Sequence, residues 1–488
     1  MSVYLLRLEA LDATDTPVAL RFSTGYYADP QARLWEPRMQ QAGLYRAGLY
    51  AGALLPSQRS GYGETTLINT DGALDYLADY ALDGREAVLS FVDDVGVVSE
   101  LLRGTVSRLG FERNRVSVKL RDPIEPLQQT HPHATYAGDN VLPAGLEGTE
   151  DDIAGRIKPR LYGQARNASP VLVNSALLIY QLSDQDCTVS EVYDQGVALE
   201  YESDYADLAT LQSDDPNDAP AAGKWRRYQG YVRLGSLPEG AVTADAEVAA
   251  PGLGSVMAAV AADAGFTLHA DDIAPLDALG DVRLWLDGES TTAQLLDTLA
   301  ASVGAIWRIN AAGELRAELW QAPGTPSLTL QDHQILDITR SATGGGEGGL
   351  PVWRVTLKAD RIETTQTDLA GAVSADRRGR LAEATRNAIA EASATRTRHP
   401  LAGELEIDSH LASLTDAQAR AGAILGLLDG RRDIVQVEAM LGAGEPARIA
   451  DTVRIVTPRL GYAAGRDMRV IGRTFDVAKR RITLDLWG

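Results

Sequence analysis

The chain has 488 residues, too many for one hydrophobic core, so about three or four domains are expected. A hydrophobic content of 45% excludes a disordered chain, and a net charge of -21 argues against nucleic-acid recognition, which needs a basic face for phosphate. The single cysteine, Cys187, excludes an intrachain disulfide and a cysteine-rich metal cluster; a buried, inert thiol made in a reducing cytoplasm is its default reading.

Residues 1–125 read as a compact, barrel-like β domain. Val3 to Glu9 and Val18 to Phe22 alternate as strands do. Thr65 to Asn69 is a further strand, stopped by the turn signal Thr70-Asp71-Gly72, and a short helix is expected over Ala73 to Tyr80. Strands resume at Glu86 to Asp93, Leu101 to Leu109 and Arg115 to Arg121, and Asp122-Pro123 ends the run. The opening MSVYLLRLEALD carries Arg7 and Glu9 and lacks a small-residue cleavage site, so no secretory signal is expected. No run of about 18 apolar residues occurs, so no membrane-spanning helix is expected.

Residues 126–231 form an irregular β-rich section. Val171 to Gln181 is strongly apolar and is expected to cross a core. Glu191 to Tyr201 reads as a hairpin turning at Asp194-Gln195-Gly196. Residues 232–325 read as a small α/β domain. Helical spacing runs over Ser255 to Ala262, and a strand is expected at Asp281 to Asp287. A second helix covers Ser290 to Ser302, capped by Ser290 or Thr291. A hairpin then joins Ala305 to Asn310 and Glu314 to Trp320 around Ala312-Gly313. Residues 326–488 read as a second barrel-like β domain with helical decoration. Its expected strands are Val352 to Lys358, Ile434 to Met440, Thr452 to Thr457, Arg469 to Asp476 and Arg481 to Trp487; Thr415-Asp416 caps a helix through Leu428. Thr343 to Gly349 is a glycine-rich linker with no strand-to-helix setting for phosphate. The fold class is therefore α+β and mainly β, with two barrel-like β domains flanking irregular β and small α/β domains.

Chemistry-bearing motifs are sparse. His131 and His133 share a proline loop with no third metal ligand in view, and His269, His333, His399 and His410 are scattered singly. The acidic pairs Asp93-Asp94, Asp151-Asp152, Asp214-Asp215 and Asp271-Asp272 lack the order of a calcium loop, and solvated turns account for them. No nucleophile elbow, Walker loop or Cys-His pair is present, so no catalytic residue, metal or cofactor is assigned. Trp225, Arg226, Arg227, Tyr228 and Tyr231 make the one basic aromatic patch. Bases could stack on it, but at this net charge a strand start or a subunit contact fits better.

Four stretches carry a resemblance. Gly63 to Gly72, with Leu82-Asp83-Gly84-Arg85 and Arg103-Gly104, is one. Lys158-Pro159-Arg160-Leu161-Tyr162-Gly163, Asn167, Pro170 to Val173, Leu178 to Gln181 and Val192 to Gly196 make the second. Arg233-Leu234 with Pro238 to Asp245 is the third. Pro458 to Gly461, Arg469 to Gly472 and Leu484 to Gly488 close the chain. In this order they resemble hub proteins of long-tailed bacteriophages and related tail-like particles. The resemblance implies a structural, non-enzymatic baseplate hub in the virion, made in the host cytoplasm. It implies a homotrimer whose two barrels per chain give pseudo-sixfold symmetry. Its partners would be tail-tube proteins, the tape-measure protein and other baseplate or fibre proteins, with DNA passing unbound. A receptor-binding tail protein is the alternative, and a virion-associated wall hydrolase a weaker one. The long fibre-like extension of larger hubs has no counterpart after Gly488, so receptor binding by this chain is not expected.

Overall fold

Alternation builds the first sheet. Along Val3–Leu11, Tyr4, Leu6, Leu8 and Ala10 point to one side and are buried, the period-two signature of a strand with one covered face. The computed structural model describes all residues except 1–2, 42–43, 49–58, 93–95, 142, 311–312, 344–350, 445 and 477–478. The Asp93-Asp94 pair, Ala312 and most of the glycine-rich linker thus lie outside the described residues. Strands hold 42% of the chain and helices 17%, so the fold is mainly β and multidomain.

The first sheet has seven antiparallel strands, in the order Pro17–Ser23, Val3–Leu11, Glu86–Val92, Val98–Glu112, Arg115–Arg121, Glu64–Ile68 and Met39–Gln41. At the expected turn, Gly72 adopts φ +70° and the buried Asn69 side chain accepts from Leu74 N at 2.8 Å. The helix expected over Ala73 to Tyr80 is a shorter 3-10 turn, Asp75–Asp79, which buries Leu77.

The last sheet has eight strands. Six follow the order Leu328–Gln331, Thr452–Val456, Arg466–Asp476, Arg481–Trp487, Asp433–Met440 and Ile335–Thr343. The other two come from the first section: Leu44–Gly48 pairs with Arg466–Asp476, and Arg59–Tyr62 pairs with Leu44–Gly48. That strand changes neighbour at a bulge between Val470 and Gly472. Its first half pairs with Thr452–Val456, and its second half pairs Gly472 with Gly48 through Asp476 with Leu44. Both outer sheets curl as half-barrels, and their apolar faces meet in one continuous core that includes Leu6, Phe22, Leu89 and Val118 with Val437, Met468, Ile482 and Leu484.

The middle of the chain holds two five-stranded sheets. One orders Val197–Ala198, Thr188–Asp194, Val242–Glu247, Arg160–Ala168 and Arg283–Leu286; the other orders Val171–Asn174, Ile179–Gln181, Tyr231–Leu234, Lys224–Tyr228 and Glu200–Asp204. They share a core around Trp225, Val232, Val189 and Ala244. The apolar run Val171 to Gln181 is a hairpin rather than a single crossing. Asn174 accepts from Leu177 N at 2.9 Å inside its turn, and Leu178 takes φ +52°.

Helices Leu253–Asp263, Ala270–Asp277 and Thr292–Ala301 follow, the last with Thr291 as N-cap in a capping box with Gln294. They pack with the hairpin Ala305–Ile309/Leu315–Leu319. In the same core lies a three-stranded sheet, Arg386–Glu391, Val352–Ala359 and Gly403–Asp408, covered by the helix Leu414–Leu428. Ser413 caps that helix, two residues before the expected cap.

The shared outer core makes a clear prediction. Leu484→Ala should cost about 2–5 kcal/mol. Urea unfolding followed by proteolysis should show the first and last sections losing protection together. Loss confined to the last section would mean that the two sheets do not depend on each other.

Candidate assembly site

Buried charge sets how the middle of the chain is held. Asp360 ends the strand Val352–Ala359 in a left-handed conformation, φ +52°. Its buried carboxylate accepts from Arg283 Nη1 at 2.5 Å and Arg386 Nε at 2.6 Å, with Arg380 at 3.4 Å. Arg283 belongs to the sandwich, so this cluster joins the sandwich to the three-stranded sheet. Burial lowers the pKa of the Arg283 guanidinium, and its Nη1 also donates to Arg361 O at 2.6 Å. The buried His410 ring nitrogen Nδ1 lies 2.5 Å from Arg283 O.

The segment after Asp360 straps across the sandwich. Asn167, itself at φ +53°, donates to Thr364 O at 2.5 Å. Arg377 stacks over Tyr193 at 3.9 Å and donates to Gly196 O at 2.9 Å. Gly196 sits in the expected hairpin turn at φ +81°, and a Cβ there would lie 2.6 Å from Leu369. Only glycine lets the strap close so tightly. Within the strap Glu363 Oε1 is sealed from solvent without a hydrogen-bond partner. Desolvation pushes its carboxyl up to about 7, against the pull of Arg361 and Arg283.

The basic aromatic patch lies on the hairpin Lys224–Tyr228/Tyr231–Leu234. Trp225 is fully buried in the sandwich core, where its Nε1 donates to Leu199 O at 3.3 Å. Period two splits its neighbours: Arg226 turns to the other face and pairs with Glu202 at 2.7 Å, while Arg227 stays on the Trp225 side, over the Tyr201 ring, and pairs with Asp204 at 2.6 Å. Gln181 Nε2 donates to the Tyr231 hydroxyl at 3.0 Å, and Tyr228 packs beside it in a smaller cluster. The structure thus brings Arg226, Tyr228 and Tyr231 together on one half-buried face, leaves the half-buried Arg227 on the opposite face, and sends Trp225 inward.

The histidines do not converge. His131 is buried, with Nε2 2.7 Å from the Tyr162 hydroxyl and Nδ1 2.9 Å from Thr292 Oγ1; His133 Nδ1 lies 2.9 Å from His131 O. Among the described residues, no three His, Cys, Asp or Glu side chains gather as a metal site. Asp152, Asp215 and Asp272 serve local structure, Asp272 accepting from Arg316 Nε at 2.6 Å. Cys187 is buried, which pushes its thiol up to about 12. No described helix is long and apolar enough to cross a membrane.

The outer sheets end in edge strands. Pro17–Ser23 closes one margin of the first sheet, and Leu328–Gln331 and Ile335–Thr343 close the margins of the last. Glu36 already bridges to Phe22 at the end of the Pro17–Ser23 margin; an edge strand otherwise carries backbone donors and acceptors on its outer side.

No family model matches the sequence, and no curated protein matches it. The solved structures that resemble the chain are phage tail, baseplate and virion components. A tail protein from Neisseria meningitidis MC58 aligns over 100% of this chain and 96% of its own, at 9% identity and TM-score 0.42. The 43 kDa tail protein of prophage MuSo2 from Shewanella oneidensis aligns over 100% and 98%, at 10% identity and TM-score 0.42. A chain of the native gene transfer agent virion aligns over 68% and 84%, at 17% identity and TM-score 0.43.

The strap's sealed carboxyl has a pH signature. Because Glu363 titrates near 7 in the folded chain, its contribution to stability is full below about pH 4.5 and is lost as pH rises through about 7. Glu363→Gln should remove that loss, stabilising the protein at pH 8 by about 1–3 kcal/mol and leaving it little changed at pH 4.5. Thermal melting of both proteins across this range checks it. Parallel pH curves would mean that Glu363 is already paired.

Proposed function

We propose that the chain is a structural, non-enzymatic baseplate hub of a bacteriophage tail tip. Three copies close a ring at the distal end of the tail tube and leave a channel through which DNA passes during ejection. The observation that carries this reading is the pairing of two half-barrel sheets, from opposite ends of the chain, on one core. A subunit built so offers two comparable β units side by side. Three subunits then present six, which matches a threefold tip to a sixfold tube. The ordered motifs from Gly63 to Gly488 support the same reading.

In this arrangement the sheet margins meet neighbouring subunits, tail-tube proteins and the tape-measure protein, and other baseplate or fibre proteins dock outside. The hairpin Lys224–Leu234 offers a partner Arg226, Tyr228 and Tyr231 on one face, with Trp225 as its internal anchor and Arg227 on the Trp225 side. The carboxylate excess behind the net charge of -21 keeps DNA from adhering in the channel.

Light scattering behind a sizing column tests the ring. A trimer, or a mass rising toward one with concentration, is expected. A protein that stays monomeric at high concentration and also fails to join purified tail tubes would overturn the proposal.

A further inference from the structure

The face of the first sheet turned away from the shared core is not bare. Period two sends Tyr4, Leu6 and Leu8 inward and leaves Leu5 and Arg7 outside; on the next strand Val88 and Ser90 do the same. The chain between Ser23 and Met39 crosses this outer face with no strand or helix of its own. Such a long irregular segment needs an internal anchor, and Asp29 supplies it. Its carboxylate accepts from Trp35 Nε1 at 2.7 Å, Arg33 Nε at 2.8 Å and Gln31 N at 2.7 Å. Arg33 foremost, then Trp35, holds the Asp29 carboxyl down at about 2. Tyr27 meets Trp35 edge to face at 6.0 Å, and both rest on Val3, Leu5 and Val92.

Between this segment and the strands lies an open cleft of about 220 Å³, lined among others by Tyr27, Trp35, Leu5, Ser90, Arg7 and Glu100. Its floor is a ladder of charges across three strands. Arg7 and Arg103 both bind Glu86, and Arg103 also donates to Glu100 at 2.8 and 3.0 Å. Val98, 48% exposed, lines the cleft, and the crossing segment also carries the exposed Tyr26 (87%) and Leu34 (79%), each next in sequence to a lining residue. Solvent exposure of large side chains this complete marks a contact surface when it borders a formed cleft.

Charge decides the class of ligand. Every guanidinium of the lining is already paired: Arg33 with Asp29, Arg103 with Glu100, and Arg7 and Arg103 with Glu86, which does not itself line the cleft, with Glu9 3.5 Å from Arg7. An anion or a cation entering the cleft therefore gains no net attraction. A neutral ligand rich in hydroxyls does gain. Fixed planar carboxylates and guanidinium forks accept from and donate to adjacent hydroxyls, and the aromatic and aliphatic walls cover its C–H faces. The cleft is smaller than the roughly 300–1,000 Å³ of pockets for drug-sized ligands, so it takes one sugar ring of a chain. We infer that the outer face of the first sheet binds a neutral saccharide, one ring seated between Trp35 and Tyr27 on one side and the Arg7–Glu86–Arg103–Glu100 ladder beneath. This inference stands independently of the hub reading.

Saturation-transfer NMR on the full chain tests it, with maltose, lactose and N,N′-diacetylchitobiose as probes and glucosamine and sialic acid as charged controls. Two variants report on the cleft. Trp35→Ala removes one wall, and Ser90→Trp fills the space while sparing the Asp29 anchor. At least one neutral disaccharide should bind, and both variants should weaken it about tenfold or more with the melting temperature of Ser90→Trp unchanged. Three results would overturn the inference: no transfer from any neutral probe up to about 20 mM, transfer untouched by Ser90→Trp, or transfer confined to the charged sugars.

Discussion

The strand Arg466–Asp476 is the constraint on which the two ends of the chain depend. It belongs to the last sheet, yet half of one side is paired by Leu44–Gly48, a strand from the first section of the chain. The bulge before Gly472 makes this possible by bending the strand away from Thr452–Val456 and opening a second margin. Gly472 suits the bend because a Cβ there would lie 2.6 Å from the Asp485 carboxylate. Backbone pairing fixes the early segment Leu44–Gly48 in the last sheet, and the common core beneath supplies the apolar burial between the two sheets. Neither sheet can shift without exposing the other.

The middle of the chain is held by a different force. Asp360 and Arg283 are taken out of water together at the junction of the sandwich and the three-stranded sheet, and Arg380 and Arg386 reach the same carboxylate from the surface. Burying such a group is costly unless each charge finds a partner, so the cluster adds little to stability compared with hydrophobic packing. What it adds is orientation. A carboxylate that must satisfy arginines from both sides tolerates one docking geometry and penalises the rest. The left-handed backbone at Asp360 and Asn167, and the close fit at Gly196, fix the same geometry from the main chain.

Local elements were legible in the sequence because their signals are local. Alternation placed Arg115–Arg121 to the residue, and the Asp194-Gln195-Gly196 turn, the Thr291 cap and the strand ending at Trp487 follow from side-chain chemistry within a few residues. The hairpin inside Val171–Gln181 escaped because unbroken apolarity hid the Asn174 turn. The helix Ala270–Asp277 escaped because Pro275 and two aspartates obscure its apolar period. In the aromatic patch, period two over Trp225–Tyr228 was the available signal that separates Trp225 and Arg227 on one face from Arg226 and Tyr228 on the other. The pairing of Leu44–Gly48 with a strand more than 400 residues away and the strap after Asp360 had no such signal. Each depends on partners that only the fold brings together.

Charge links these observations. Many arginines of the sheets are committed to carboxylates on adjacent strands: Arg7 and Arg103 to Glu86, Arg454 to Asp467, Arg481 to Glu438, with Lys358 on Glu406 in the same way. Cross-strand pairs of this kind contribute modestly to stability, but they select strand neighbours by rejecting like charges. Because cations are consumed in these pairs, the carboxylates left over carry the net charge of -21 outward. An acidic exterior discourages copies of the chain from adhering at random. Association then has to be earned by specific features, such as the margins of the sheets and the exposed Tyr26 and Leu34, where shape and hydrogen bonding can overcome the repulsion.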